Sequence, residues 1–84
     1  MLYGAHPNPF NPVTEIKYWV PEKAHVRVTI YNVAGRLVAS LVDEVRDRGE
    51  HTVAWHADAL PSGVYFCRLQ VGEFSDHRKV MLLK

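Results

Sequence analysis

The sequence predicts an all-β domain, a sandwich or barrel of short antiparallel strands, on three observations. Turn-forming residues recur at short intervals: Pro7, Pro9 and Pro12, then Pro21, Gly35, Gly49, Pro61 with Gly63, and Gly72. The stretches between them are rich in Val, Ile, Tyr and Thr, the residues that suit a pleated surface. None of those stretches holds a helical period over ten residues or more, whereas several alternate apolar and polar residues with period two.

The strands follow in chain order. A short segment around Leu2–Ala5 adds a first strand ahead of the proline-rich loop. In Thr14–Val20 alternation turns Ile16, Tyr18 and Val20 inward and Glu15, Lys17 and Trp19 outward, because successive side chains of a strand face opposite sides of the sheet. Ala24–Tyr31 turns Val26, Val28 and Ile30 inward against Arg27 and Thr29. Arg36–Glu44 is more evenly apolar, through Leu37, Val38, Leu41 and Val42, which reads as a strand covered on both faces or bent midway. Glu50–Trp55 sets His51, Val53 and Trp55 against Thr52 and Ala54. Val64–Val71 sets Tyr65, Cys67, Leu69 and Val71 against Val64, Phe66, Arg68 and Gln70. Gly72-Glu73 then makes a two-residue turn with glycine first, as a type II′ hairpin requires. Phe74–Leu83 is the return strand, with a break expected near Ser75-Asp76.

Size and composition bound the function. The 84 residues make one small domain, which hides only roughly 60–65% of the surface its unfolded chain exposes. A hydrophobic fraction of 48% with 23% charged residues suits a folded domain rather than a disordered one. A net charge of +1, with no Lys/Arg run, gives no electrostatic reason for nucleic acid or an anionic membrane as partner. No apolar run approaches the ~20 residues that cross a bilayer, and the N-terminus lacks the charged start and apolar stretch of an export signal. The single Cys67 excludes an internal disulfide, so the fold rests on packing.

The chemistry-bearing residues point away from catalysis. Zinc sites pair close ligands in two sets. Of His6, His25, His51, His56 and His77 only His51 and His56 have a suitable spacing, they fall on opposite strand faces, and no second pair exists. Asp43, Glu44, Asp47 and Glu50 flank Gly49 in what reads as a solvated hairpin loop rather than a cleft, and acid–base work needs carboxylates with shifted pKa values. Cys67 falls on an inward face, where free cysteine behaves as a small hydrophobe. There is no nucleophile elbow, no phosphate-cradling glycine loop and no Cys-x2-Cys pair. The sequence therefore implies no enzyme, no metal and no cofactor.

Two features remain. In His6-Pro-Asn-Pro-Phe-Asn-Pro12 the prolines fix φ and extend their neighbours, Asn8 and Asn11 are placed to bond nearby backbone, and Phe10 is an apolar peg. The segment reads as a stiff loop sealing one end of the core, with a docking site as the alternative. Trp19 and Phe66 both project outward and form a candidate contact surface. The chain also stops inside its last apolar strand, so the C-terminal hairpin is where function is expected to be written.

Four segments taken together carry a resemblance: Pro7-Asn-Pro-Phe-Asn-Pro-x-Thr14, Ile30-Tyr-Asn-Val-Ala-Gly-Arg-Leu-Val38, Leu60-Pro-Ser-Gly-Val-Tyr-Phe66 continuing through Arg68-Leu69, and Arg78-Lys-Val-Met-Leu-Leu-Lys84. Their order and spacing resemble the type A C-terminal sorting domain of the type IX secretion system, a family that overlaps with the immunoglobulin-like domain of flagellar hook-capping (FlgD-like) proteins. The resemblance implies a seven-stranded immunoglobulin-like antiparallel β-sandwich, residues 1–84 forming a single domain at the end of a larger exported protein that carries its own N-terminal export signal. It implies recognition by an outer-membrane translocon, often followed by removal by a surface sortase that attaches the cargo to lipopolysaccharide, the domain being either cleaved or retained, with no cofactor and no membrane insertion. By position, the sorting residues are Gly63, Tyr65, Lys79, Val80, Leu82 and Lys84. The proline loop contributes Asn8, Pro9, Phe10, Asn11 and Pro12, and Gly35 with Arg36 matches the turn after the third strand. Cys67, where an aromatic is expected, and His56, where Asn or Asp follows the tryptophan, depart from the pattern. A structural module of the hook-capping type, holding neighbours through sheet edges, is the alternative function. A carbohydrate-binding module is a third, against which the lack of a row of exposed aromatics argues.

Overall fold

The computed structural model describes residues 1–9 and 12–83. Seven strands run in the order β1 (Leu2–His6), β2 (Val13–Val20), β3 (Ala24–Asn32), β4 (Leu37–Arg46), β5 (Gly49–His56), β6 (Gly63–Val71) and β7 (Phe74–Leu82). They form a three-stranded sheet, β1-β2-β5, and a four-stranded sheet, β4-β3-β6-β7, with every pair antiparallel. Consecutive strands pair as β1–β2, β3–β4 and β6–β7, while the chain changes sheet after β2, β4 and β5.

Alternation builds the core as the sequence predicts. Ile16, Tyr18 and Val20 of β2 face Val26, Val28 and Ile30 of β3 and Tyr65, Cys67, Leu69 and Val71 of β6, all buried. Leu2, Val42, Trp55, Ala57, Val80 and Leu82 complete the cluster. Trp55 and Tyr65 meet edge to face across the sheets, with ring centroids 5.5 Å apart at 75°, a geometry that aligns a ring's positive edge with the other's negative face. Thr14 is the one buried polar residue among those described, and its hydroxyl donates to the Pro7 carbonyl at 2.7 Å.

The hairpins show how local chemistry sets register. Between β3 and β4, the Gly35 amide donates to the Asn32 carbonyl and the Asn32 amide to the Arg36 carbonyl, each at 3.0 Å. The Asn32 side-chain oxygen accepts the amides of Ala34 and Arg36 as well. Gly35 closes this three-residue loop at φ 79°, a left-handed conformation that costs other residues a Cβ clash. Between β6 and β7, Val71 pairs with Phe74 across Gly72-Glu73. Gly72 has φ 56° and no described non-glycine residue has positive φ, the φ pattern of the expected type II′ turn.

Four local expectations are revised. β4 is an edge strand with exposed positions along it rather than one covered on both faces, and it carries the bend that is the other reading: its register against β3 shifts between Val28/Thr29 and between Ile30/Tyr31. Each shift leaves one β4 residue unpaired and resets the alternation, so apolar residues crowd its sequence. The Gly49 region is no hairpin, because β4 and β5 belong to different sheets and Asp47-Arg48 carries the chain across the sandwich. His51 stacks on Tyr18 at 5.5 Å and bonds the Asp47 carbonyl at 2.8 Å, fixing that crossing. β7 is unbroken through Ser75-Asp76, with continuous pairing from Phe74 to Leu82. Asn8 bonds not to nearby backbone but to β7, as described next; Phe10, Asn11 and Lys84 lie outside the described residues.

Candidate functional site: the terminal hairpin and its edge

The β6–β7 hairpin has two faces and one free edge. Inward it presents Tyr65, Cys67, Leu69, Val71, Val80 and Leu82, all buried. Tyr65 stands near the start of β6, and its hydroxyl donates to the Pro61 carbonyl at 2.7 Å. This return of a tyrosine hydroxyl to backbone a few residues upstream is the tyrosine corner of immunoglobulin-like sandwiches. Cys67 is 1% exposed, and burial pushes its thiol up to about 12. It is an inert filler of the core rather than a nucleophile.

The outward face carries cross-strand rows that the antiparallel register dictates. Tyr31 lies beside Phe66 and Phe66 beside Lys79; Thr29 lies beside Arg68 and Arg68 beside His77. A shallow depression of about 350 Å³ is lined there by residues that include Tyr31, Val33, Phe66, Arg68 and His77. Trp19 lies on the other sheet, half-buried, with the Arg48 guanidinium 5.8 Å from its ring centroid. The two outward aromatics therefore sit on different sheets and do not share a patch.

β7 is the outer strand of its sheet, and among the described residues β1 packs beside its free backbone edge without joining the ladder. Two side chains cover it. The Asn8 amide nitrogen donates to the Lys79 carbonyl at 3.2 Å, and the Asn8 side-chain oxygen accepts the Met81 amide at 2.9 Å. Asp76 accepts the Leu2 amide at 3.2 Å and the His77 amide at 2.9 Å. Partial burial raises the Asp76 pKa, but those two hydrogen bonds, with the charges of Arg78 and the N-terminus, outweigh it and hold the carboxyl below its ordinary value. On the opposite edge of the sheet the Asp43 carboxyl is likewise lowered, first by its hydrogen bond with His25 and also by Arg27.

Of the sorting residues expected from the sequence, Tyr65, Val80 and Leu82 are buried, Gly63 is half-buried at the start of β6 with φ 153°, and Lys79 is exposed on the outward face. In the proline loop, Asn8 and Pro9 are exposed and Pro12 is half-buried, its carbonyl accepting the Ala57 amide at 2.9 Å. Sequence reasoning missed Asp76 and Thr14. Each had a signal, since parity places both on an inward side where a polar group needs a partner. His51 and His56 do lie on opposite faces of β5, and among the described residues no cluster of three His, Cys, Asp or Glu side chains could hold a metal ion.

Three strands packed on four, cross-sheet connections and a tyrosine corner define an immunoglobulin-like antiparallel β-sandwich. Within that class, the model of the secretion system C-terminal sorting domain matches residues 4–83, and the chain belongs to that family, the sorting domains of the type IX system. As such it is a C-terminal sorting signal that acts on the protein carrying it in cis and marks that protein for the cell surface or for secretion. Among solved structures, the chain is similar to PorZ of Porphyromonas gingivalis, described as an essential bacterial surface component of the type IX secretion system. The likeness has a TM-score of 0.69 at 21% identity and covers 99% of this chain but 11% of the PorZ chain, so it is a likeness of fold. No curated protein matches the chain. Among the described residues no helix is long and apolar enough to cross a membrane.

Proposed function

We propose that residues 1–84 form one non-catalytic domain closing a larger exported protein, read by the type IX translocon at the outer membrane. A surface sortase then removes the domain and joins the cargo to lipopolysaccharide. The observation that carries this reading is the family match over residues 4–83, which runs through β7 and its matched residues Lys79, Val80 and Leu82. In this reading the matched residues divide by exposure. Gly63, Tyr65, Val80 and Leu82 act by building the strand pair, while Lys79 meets the translocon directly. Lys84 and the loop residues Asn8, Pro9, Phe10, Asn11 and Pro12 are assigned to recognition on the sequence resemblance alone.

The test is a fusion of residues 1–84 to a folded reporter in a host with this secretion system. Lys79→Gln should lower the exported fraction while leaving thermal stability unchanged, since an exposed side chain away from special features shifts stability by under about 0.5 kcal/mol. Leu82→Ala should lower both, by about 2–5 kcal/mol in stability for a fully buried leucine. Export of a fusion truncated before Lys79 at the intact level would sink the proposal.

A further inference from the structure

The outward face of the four-stranded sheet carries two neighbouring rows that differ in kind. The register sets Leu37, Tyr31, Phe66 and Lys79 side by side across β4, β3, β6 and β7, and sets Ser40, Thr29, Arg68 and His77 beside them in the next outward row. The first row is apolar and aromatic up to its last member. Leu37 is 52% exposed and Val33, in the adjoining loop, 74%, while Tyr31 and Phe66 are half-buried where they line the shallow depression. Charge on the β6–β7 half of this face has one sign, because parity puts Arg68, His77 and Lys79 outward and no acid with them. Among the described residues neither Arg68 nor Lys79 has an acidic partner, whereas Arg27 on the same face is paired with Asp43. The polar groups there are mostly donors. Arginine and lysine side chains have no acceptor, and the Asn32 side-chain oxygen already accepts the amides of Ala34 and Arg36.

We infer that this face binds an extended acidic polypeptide segment, with an apolar side chain in the depression against Tyr31 and Phe66 and a carboxylate two residues along on Arg68. The spacing fits. Same-face residues of a strand lie roughly 6.6 Å apart, which is how Phe66 and Arg68 are placed on β6, so residues i and i+2 of a segment laid along β6 reach both. A carboxylate brings the acceptors that this face lacks, and a guanidinium binds its two oxygens together. The apolar residue covers aromatic and aliphatic surface now left in water. Hydroxyl-rich ligands fit less well, since their donors would find few acceptors. Unpaired cations beside an apolar depression thus select an acidic partner, in keeping with the part charge plays in choosing partner and register. Binding of this kind goes beyond the sorting reading and is measured without secretion, so the two fail separately.

The test uses isotopically labelled residues 1–84 and the peptide acetyl-Ser-Leu-Thr-Glu-Thr-Glu-Ser-amide, with Gln-for-Glu and Ser-for-Leu peptides as controls. The acidic peptide should shift the amide signals of Phe66, Arg68 and His77. The Gln peptide should bind about fivefold more weakly, as should the acidic peptide to Arg68→Gln, on the scale of an exposed ion pair. Loss of the apolar anchor in the Ser peptide should weaken binding about tenfold. Arg27→Gln, on the same face but already paired with Asp43, should change the affinity by less than about twofold. Arg68→Lys keeps the charge and loses the paired donors, so it should give an intermediate affinity and serves if Arg68→Gln fails to fold. Equal affinities for wild type and a folded Arg68 variant, or shifts confined to the three-stranded sheet, would overturn the inference. Inorganic phosphate shifting the same amides as strongly as the peptide would reduce the face to a general anion site, and self-association without peptide would assign it to a second copy; either would overturn the stated partner.

Discussion

Replacing Tyr65 by Phe isolates one hydrogen bond that ties the connection after β5 to the start of β6. The ring stays, and with it the edge-to-face contact on Trp55 at 5.5 Å; only the 2.7 Å bond from the hydroxyl to the Pro61 carbonyl is lost. The size of the loss depends on what happens to that carbonyl. An acceptor left dry costs about 1–3 kcal/mol, but Pro61 is exposed, so water takes the vacated position and the cost falls to about 1 kcal/mol. Such a domain has roughly 4–13 kcal/mol of stability in all. One kcal/mol then lowers Tm by about 4–8 °C. Thermal unfolding followed by circular dichroism reads the shift, and a urea titration with an unchanged m-value shows that the native state keeps its compactness. A Tm within about 1 °C of wild type would refute the reasoning that the corner stabilises the fold, and a loss above about 3 kcal/mol would refute the role given to water. Tyr65→Leu, which also removes the ring contact, should cost more.

Cys67 should resist iodoacetamide at pH 8 in the native protein and react fully in urea, because burial pushes its thiol up to about 12; rapid native labelling would contradict its place in the core. Asp76 has a folded pKa below its ordinary value, so its contribution to stability is present above the unfolded pKa near 4 and is lost as pH falls through the folded pKa. Asp76→Asn should accordingly flatten the fall of Tm below pH 4 without abolishing it, since Asp43 titrates in the same direction; an unchanged acid profile would refute the assignment. Gly72→Ala should destabilise by about 1–2 kcal/mol through its positive φ of 56° alone, as no heavy atom beyond the residue and its chain neighbours lies within 4 Å of the added Cβ. Chemical denaturation measures that loss, and a neutral result would mean the turn has changed type.

What the sequence disclosed divides by the range of the interaction that decides it. The inward sets of β2, β3, β5 and β6 were readable because period-two alternation is local. β4 was not, since its two register shifts put Val38, Ala39, Leu41 and Val42 on or near the core side and erase the period. The crossing at Asp47-Arg48 carries the same turn residues as a hairpin, and only pairing between distant strands tells the two apart. The bonds that tie Asn8 and Asp76 to the opposite end of the chain span 71 to 74 residues. Nothing within a window of neighbours could reveal them, and so the β7 edge was the part hardest to foresee.

Those same bonds set an order of events. Joining Leu2 to Asp76 and Asn8 to Met81 closes loops of nearly the whole chain, at an entropic cost of about 4 kcal/mol beyond a constant. Contacts of such long range form after local hairpins and cannot form before the residues of β7 are available. The seam between the first and last strands is therefore the final closure of the sandwich, and a chain delivered N-terminus first holds an open seam until its last strand arrives. In the proposed reading, with this domain at the end of a larger exported protein, its completion reports that everything ahead of it has already been delivered.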